Sequence, residues 1–491
     1  MPEQNLPHTL PPVGRPPADI LAELASFGAQ DPAYQNGRLW SLVYYLDEGY
    51  QAFLGQAYQA FQSANGLNPG AFKSLKRFEN EIIANTAHLL HGDAQVCGVL
   101  TSGGTESCLM AVKTYRDMAR KLRGIKSPEM VLPASAHVAW FKASEYFDVK
   151  VRLLPLDRQL RADAAQLSRL INRNTLMVVG SAPDYPHGNI DPIEAMASIA
   201  QHHKIPLHVD ACVGGFILPF MEKNGIQLPM WDYRVPGVTS ISADLHKYGY
   251  AAKGASTITY RGLDVLKHQM FVYTEWPGGM FASPALLGTR PGGAYAAAWA
   301  AMQYFGEAGY CDLAAKALQA FEGLKHGISA MPELQILGEP HGPLLAYCAR
   351  PGAGSNNKAI NIFAVGDQME KRGWNINKLQ QPDGLHALIT AQHLVVVDDY
   401  LRDLREAVAT VKAQPELANQ GSAATYGMMA HLPLRGLVKK QVLDVFAAQY
   451  RQGAAQLDLS SPAAGSGQPP VTGPRALLER VARWYVARKQ G

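Results

Sequence analysis

The 491-residue sequence predicts an α/β fold, with a large domain on a mostly parallel sheet and a smaller α+β domain at the C-terminus. Three observations predict it. Short apolar runs at 95–100, 129–133, 149–154, 175–180, 205–209 and 238–242 alternate with helical patterns at 105–123, 137–147, 161–172 and 191–203, the order of strand–helix–strand units. Polar or glycine-bearing segments follow several of these runs, where open α/β sheets bind their ligands. The chain is also longer than one hydrophobic core usually serves, and its 47% hydrophobic and 18% charged content suits a large buried interior.

In chain order, Met1 to Pro17 is Pro-rich and reads as a loose arm. Helical spacing follows at Ile20–Phe27 and Leu42–Phe61, the latter striped with Tyr44, Tyr45, Tyr50, Phe53, Tyr58 and Phe61, a face for a core or a subunit interface. Ala64–Gly70 is a loop by composition, and Phe72–Leu90 an amphipathic helix leading into the large domain. After the alternating region, Ser256–Tyr260 reads as an added strand and the Ala-rich Ala294–Phe305 as the helix linking to the smaller domain. There the strand-like runs are Leu344–Cys348 and Leu394–Val397, and Asp367–Trp374 reads as a helix and turn. Ser460–Pro474 is a Pro/Gly/Ser-rich linker and Arg475–Lys489 a basic amphipathic helix. The expected domains are 1–75, 76–314 and 315–491.

Charge and cysteine usage exclude several functions. A net charge of +4 with no like-charge block gives no nucleic-acid surface. The five cysteines at 97, 108, 212, 311 and 348 are scattered without metal-type spacing, so no metal is expected and a reducing compartment is. No stretch approaches the ~20 apolar residues of a membrane span, and the N-terminal region has no apolar signal segment. A cytoplasmic location is expected.

Three stretches carry chemistry. Around Thr239–Gly254 the apolar run from Val238 to Ile241 reads as a buried strand, Gly249 and Gly254 mark a turn, and between strand and turn His246-Lys247 puts a lysine among small, apolar and aromatic residues. Burial disfavours the ammonium and makes an amine ready to form a Schiff base. A surface lysine after a strand would show the same local pattern, but two other stretches supply what such a cofactor needs. Asp210 ends the run Pro206–Val209, and a carboxylate at a strand end can keep a pyridine nitrogen protonated, or simply cap the next helix. Ser102-Gly103-Gly104-Thr105-Glu106-Ser107 lies between a strand and a helix, where backbone N–H groups can hold a phosphate.

The segments SGGTES, HVDAC-GGF, GVTSISAD-HKYGYA-KG and ASP with RPGG, in that order, resemble fold-type I pyridoxal-phosphate enzymes of the group II decarboxylase branch, and within it the sphingosine-1-phosphate lyase family. The similarity runs over roughly residues 35–300 and fades in the C-terminal third. It implies the fold-type I pyridoxal-phosphate-dependent transferase fold, a homodimer with shared active sites, and pyridoxal 5′-phosphate on Lys247. Asp210 would pair with the ring nitrogen and His137 stack on the ring. Gly104, Thr105 and His246 would hold the cofactor phosphate, with Gly292 in the same binding set. Tyr44 would reach the partner subunit's cofactor, Tyr185 would lie near the substrate, and Lys253 with Tyr44 would lie near its hydroxyl and phosphate. The Ser283 region would come from the neighbouring subunit to close a phosphate pocket. Relatives usually have a histidine where Asn68 stands, holding the substrate's phosphate; here that position is a neutral donor. Eukaryotic members carry a membrane anchor ahead of the catalytic part, and the resemblance is to the soluble form.

The implied reaction is retro-aldol cleavage of a phosphorylated sphingoid base to a long-chain aldehyde and phosphoethanolamine. The alternative on the same fold is an amino-acid decarboxylase, against which stands the second lysine, Lys253, after Tyr248-Gly249-Tyr250. A catalytically silent binding or scaffold protein is the reading from another class; Lys247, Asp210 and His137 stand against it.

Overall fold

The alternating runs do become one sheet. In a computed structural model, which describes residues 10–352, 354, 359–431 and 435–450, β1 (Val96–Thr101), β2 (Glu129–Pro133), β3 (Lys150–Leu154), β4 (Thr175–Ser181), β5 (Leu207–Asp210), β6 (Val238–Ala243) and β7 (Ser256–Arg261) form a seven-stranded sheet in the order β1-β7-β6-β5-β4-β2-β3. Pairings among β2 to β6 are parallel, and β7 runs antiparallel between β6 and β1. Strands β2, β4 and β5 are buried throughout, as expected of parallel strands covered on both faces. Their apolar continuity is what made them legible.

The carboxyl ends of β1, β4, β5 and β6 lie on one edge, because β1 and β6 both run antiparallel to β7. The chain beyond each end carries a candidate site segment: Ser102–Thr105, Pro183–Tyr185, Ala211–Val213 and Asp244–Lys247.

Further on, a hairpin of β8 (Phe271–Tyr273) and β9 (Phe281–Ser283) precedes a long helix, Gly292–Ser329, kinked at Gly306 with φ 55°. The first half of this helix packs in the large core with Tyr295, Ala297 and Ala301. Its second half, with Ala320, Phe321 and Leu324, belongs to a second core that also holds Trp40, Trp374 and Tyr400. Strands β10 (Leu334–Ile336), β11 (Leu344–Ala349), β12 (Asn377–Leu379) and β13 (Gly384–Leu388) make the small antiparallel sheet of that region.

Two expectations are corrected. The helical spacing from Leu42 begins to form a helix only at Glu48, where Asp47 accepts the Tyr50 amide at 2.8 Å. Upstream, Leu39 bridges to Asn375 and Trp40 fills the second core, which pulls the chain out straight. The run Leu394–Val397 is not a strand. It lies in a 3-10 turn, Ala391–Val396, capped by Thr390 and His393, and leads into the helix Val397–Ala413. The 460–474 linker and the 475–489 helix lie outside the described residues. Among the described residues, no helix is long and apolar enough to cross a membrane.

Candidate active site

A cavity of ≈ 410 Å³ sits at the shared edge of the sheet, lined by Gly104, Thr105, His137, Tyr185, Asp210, Cys212, Asp244, His246 and Lys247 among others. These residues arrive from several separate strand ends. The helix Gly104–Arg123 follows β1 and points its N-terminus into the cavity with no side-chain cap, leaving its first amides to a ligand. Position 104 has to be glycine: a Cβ there would meet Asp244 Oδ2 at 2.6 Å and Cys212 Sγ at 2.9 Å. His137 is the N-cap of the helix Val138–Phe147; its Nδ1 accepts the Ala139 amide at 3.2 Å while its ring lines the cavity. It therefore caps the helix and faces the cavity at once.

Asp210 is 7% exposed. Its Oδ1 accepts the Cys212 amide at 3.1 Å and its Oδ2 accepts the Trp140 indole N–H at 2.9 Å. Burial pushes the carboxyl up, but the neighbouring His137 and the Trp140 hydrogen bond outweigh it and leave Asp210 below the ordinary carboxylate range. It is poised as an anion.

Lys247 reverses one expectation. Burial works against its ammonium, yet Asp244, with Oδ2 at 3.0 Å, together with Cys212 and Asp210, leaves the pKa raised rather than lowered. The sequence showed the desolvation but not the carboxylate folded back beside the amine. Asp244 is 2% exposed and faces the Lys247 ammonium at 3.0 Å and the His246 ring at 3.6 Å. The uncapped helix N-terminus, anionic Asp210 and the Lys247 amine together fit pyridoxal phosphate: an anion site for the phosphate, a carboxylate for the ring nitrogen and an amine for the aldehyde.

Lys253 lines an adjoining cavity of ≈ 690 Å³ with Tyr44, Tyr250 and His246, the last shared with the Lys247 cavity. Its Nζ donates to the His246 carbonyl at 3.2 Å and stands 5.1 Å from the Tyr44 ring centre. Although open to solvent, it is surrounded by protein, and this desolvation together with Lys247 pushes its ammonium down to about 8. The Tyr44 hydroxyl is buried without a hydrogen-bond partner among the described residues. Tyr44, implied by resemblance to serve the partner's cofactor, packs in this chain edge-on against its own Tyr248, with centroids 5.0 Å apart. Tyr185 stands between His137 and His386 of β13, at 5.9 and 4.7 Å.

Three further expected residues line neither the Lys247 cavity nor the Lys253 cavity of this chain. Ser283 lines a separate cavity of ≈ 270 Å³ with Gly66, Leu67, Pro69 and Arg290, and its hydroxyl donates to the Ala285 carbonyl at 3.0 Å. Asn68 Oδ1 accepts the amides of Gly70 and Ala71, which shapes its own turn. Gly292 gives its amide to the Ala64 carbonyl at 2.9 Å and packs against that backbone. Trp140 and Asp244 are the site residues that sequence reasoning missed. Asp244 had a signal, a carboxylate three residues before the lysine at a strand end. Trp140 had none, since its partner is 70 residues away.

Comparison with known proteins supports a pyridoxal-phosphate enzyme. Residues 75–350 match the family model described as the pyridoxal-dependent decarboxylase conserved domain. The sphingosine-1-phosphate lyase of Arabidopsis thaliana is 44% identical over 88% of this chain and 79% of its own length. The chain belongs to the sphingosine-1-phosphate lyase family. The rat member of that family, sphingosine-1-phosphate lyase 1, is 42% identical over 86% of this chain and 73% of its own length. The Burkholderia pseudomallei sphingosine-1-phosphate lyase structure superposes with TM-score 0.81 at 37% identity, covering 90% of this chain and 97% of that one. A Lactobacillus brevis glutamate decarboxylase, at TM-score 0.72 and 19% identity over 83% of this chain and 96% of its own, shares the fold alone.

Proposed function

We infer that this chain is a pyridoxal-phosphate-dependent lyase that cleaves phosphorylated sphingoid bases to a long-chain aldehyde and phosphoethanolamine. The observation that carries this reading beyond the fold is Lys253 beside Tyr44: an ammonium with N–H groups to spare and an unpartnered hydroxyl, next to the Lys247 cavity. A dianionic phosphate needs such charge-assisted donors when it leaves water.

When bound, pyridoxal phosphate supplies an electron sink for the carbon next to the substrate's nitrogen. The chain's residues do the rest. Lys247 provides the amine that holds the cofactor. Asp210 would hold the proton on the ring nitrogen, His137 would supply a face for the ring, and Gly104, Thr105 and His246 would hold the phosphate. The substrate hydroxyl would give up its proton beside the charged Lys253 and the Tyr44 hydroxyl, and a proton would return to the carbon that keeps the nitrogen. The carbon–carbon bond then breaks, the carbon that bore the hydroxyl leaves as the aldehyde, and the released electron pair ends in a new C–H bond of phosphoethanolamine. Purified enzyme given phosphorylated and plain sphingoid bases, glutamate and tryptophan should release aldehyde from the phosphorylated base. Carbon dioxide from an amino acid with no aldehyde from any base would replace this reading with a decarboxylase.

We further propose a homodimer whose sites are shared. Two features support it. The Ser283 cavity, where the resemblance puts a phosphate contact, lies apart from Lys247 within one chain. The helix Pro17–Gly28 buries none of its residues and exposes Leu21, Leu24 and Phe27, and the β8–β9 hairpin exposes Val272, Trp276 and Met280, apolar surface of the kind that associates. Inactive Lys247→Ala chains mixed with inactive Ser283→Asp chains are expected to regain part of the activity, since one hybrid site has both residues. No recovery after proven subunit exchange would exclude the arrangement. All five cysteines are free thiols, which favours a cytoplasmic setting.

A further inference from the structure

We propose that Trp140 is a positioning residue for the cofactor. Its indole N–H holds the Asp210 carboxylate in the orientation, and at the weak basicity, that keep the proton on the cofactor's ring nitrogen. This rests on Asp210 serving that nitrogen.

The geometry begins in one helix. Val138–Phe147 starts from His137, which lines the cavity, and Trp140 follows three residues later. Residues at that spacing share a helix face, so one rigid element presents both a ring to the cavity and an indole to the strand behind it. Trp140 is 0% exposed. Its Nε1 lies 2.9 Å from Asp210 Oδ2, and on that oxygen the other contact is the Cys108 thiol at 3.9 Å, a weak donor at long range. The ring cannot swing away. It meets His208 edge-on, with centroids 5.1 Å apart, and His208 is itself pinned by Ser240 at 2.8 Å and Ser242 at 3.1 Å. All of these groups are buried.

The arrangement divides the carboxylate. The Cys212 amide takes Oδ1 from the chain direction, at 3.1 Å. The indole takes one site on Oδ2, and Asp210 also lines the cavity, so acceptor capacity is left for a ligand there. A donor on a carboxylate also stabilises its charged form and makes it a poorer proton acceptor. Opposite a protonated pyridine nitrogen, a poorer acceptor leaves the proton on the ring, where it is needed. Phenylalanine at position 140 would fill most of the same space but offer no donor.

The test measures cofactor binding and ring protonation as well as turnover. Trp140→Phe is expected to raise the cofactor's dissociation constant by about tenfold, the size of one hydrogen bond to a charged acceptor. With pyridoxal phosphate labelled with ¹⁵N in the ring, its resonance should move toward the unprotonated position, and further so as pH rises. In the Asp210→Asn background the same Trp140→Phe change should do nothing more to affinity. Unchanged affinity and ring resonance in Trp140→Phe would overturn the inference. So would an equal loss in both backgrounds, which would mean that Trp140 acts only by packing. If Asp210→Asn itself alters neither affinity nor ring protonation, the assignment of Asp210 fails, and the role of Trp140 falls with it. A measurement that leaves Trp140 in place uses indole-¹⁵N tryptophan in the holoenzyme. Of the seven indole resonances, one should move when Asp210 becomes Asn, and seven unmoved resonances would overturn the inference.

Discussion

Lys247→Ala is expected to lower turnover by about four orders of magnitude, the scale seen when a covalent group is lost from a catalytic unit. Borohydride reduction of the wild-type holoenzyme should fix the cofactor on the peptide containing Lys247. Label on Lys253 instead would overturn the assignment. The Asp244 contact adds a pH dependence whose sign can be worked out. Only the neutral amine attacks an aldehyde, and in the cofactor-free chain the Lys247 ammonium is stabilised above the ordinary lysine range by Asp244, 3.0 Å away, against the pull of burial. The rate of cofactor loading should therefore climb with pH through the neutral range and beyond. Asp244→Asn removes the counter-charge, burial then dominates, and the climb should shift to lower pH. Loading followed by visible absorbance checks this; coincident profiles would show that Asp244 does not govern the amine.

Lys253→Met is expected to lower kcat/KM for the phosphorylated base by roughly 10- to 100-fold, the equivalent of one charge-assisted hydrogen bond, while leaving cofactor content intact. The plain base should lose much less. The pH profile sharpens the test, because kcat/KM reports groups of the free enzyme. Lys253 titrates near 8 in this chain, pushed down by desolvation and by Lys247, and its charge is present below that pH. The wild-type kcat/KM should fall as pH rises through about 8. Lys253→Arg keeps the charge at high pH, so the fall should move up or vanish even if overall activity drops. A Lys253→Met enzyme with the wild-type alkaline limb would show that another group sets it.

Much of this was legible locally. The strand runs at 129–133 and 175–180 and the helix after Gly104 appear where the periodicity puts them, because a strand buried on both faces must be apolar along its length. Lys247, Asp210, Gly104 and His137 were legible for a related reason. Each lies at or a few residues beyond the carboxyl end of a strand, and strand ends that share one edge of the sheet converge on one cavity. The run Leu394–Val397 misled because β-branched residues suit either a strand or a buried turn; the capping by Thr390 and His393 decides it.

The sequence pattern alone thus carried the layered α/β architecture, and the family resemblance pointed to strand-end residues that line one cavity. Only the tertiary structure decided what lies beside those residues: Asp244 against the Lys247 amine, Trp140 donating to Asp210, and Ser283 and Asn68 held away from the Lys247 cavity. The charge state of a buried group depends on neighbours brought in through space, and those neighbours carry no mark of their partnership in the linear order of the chain.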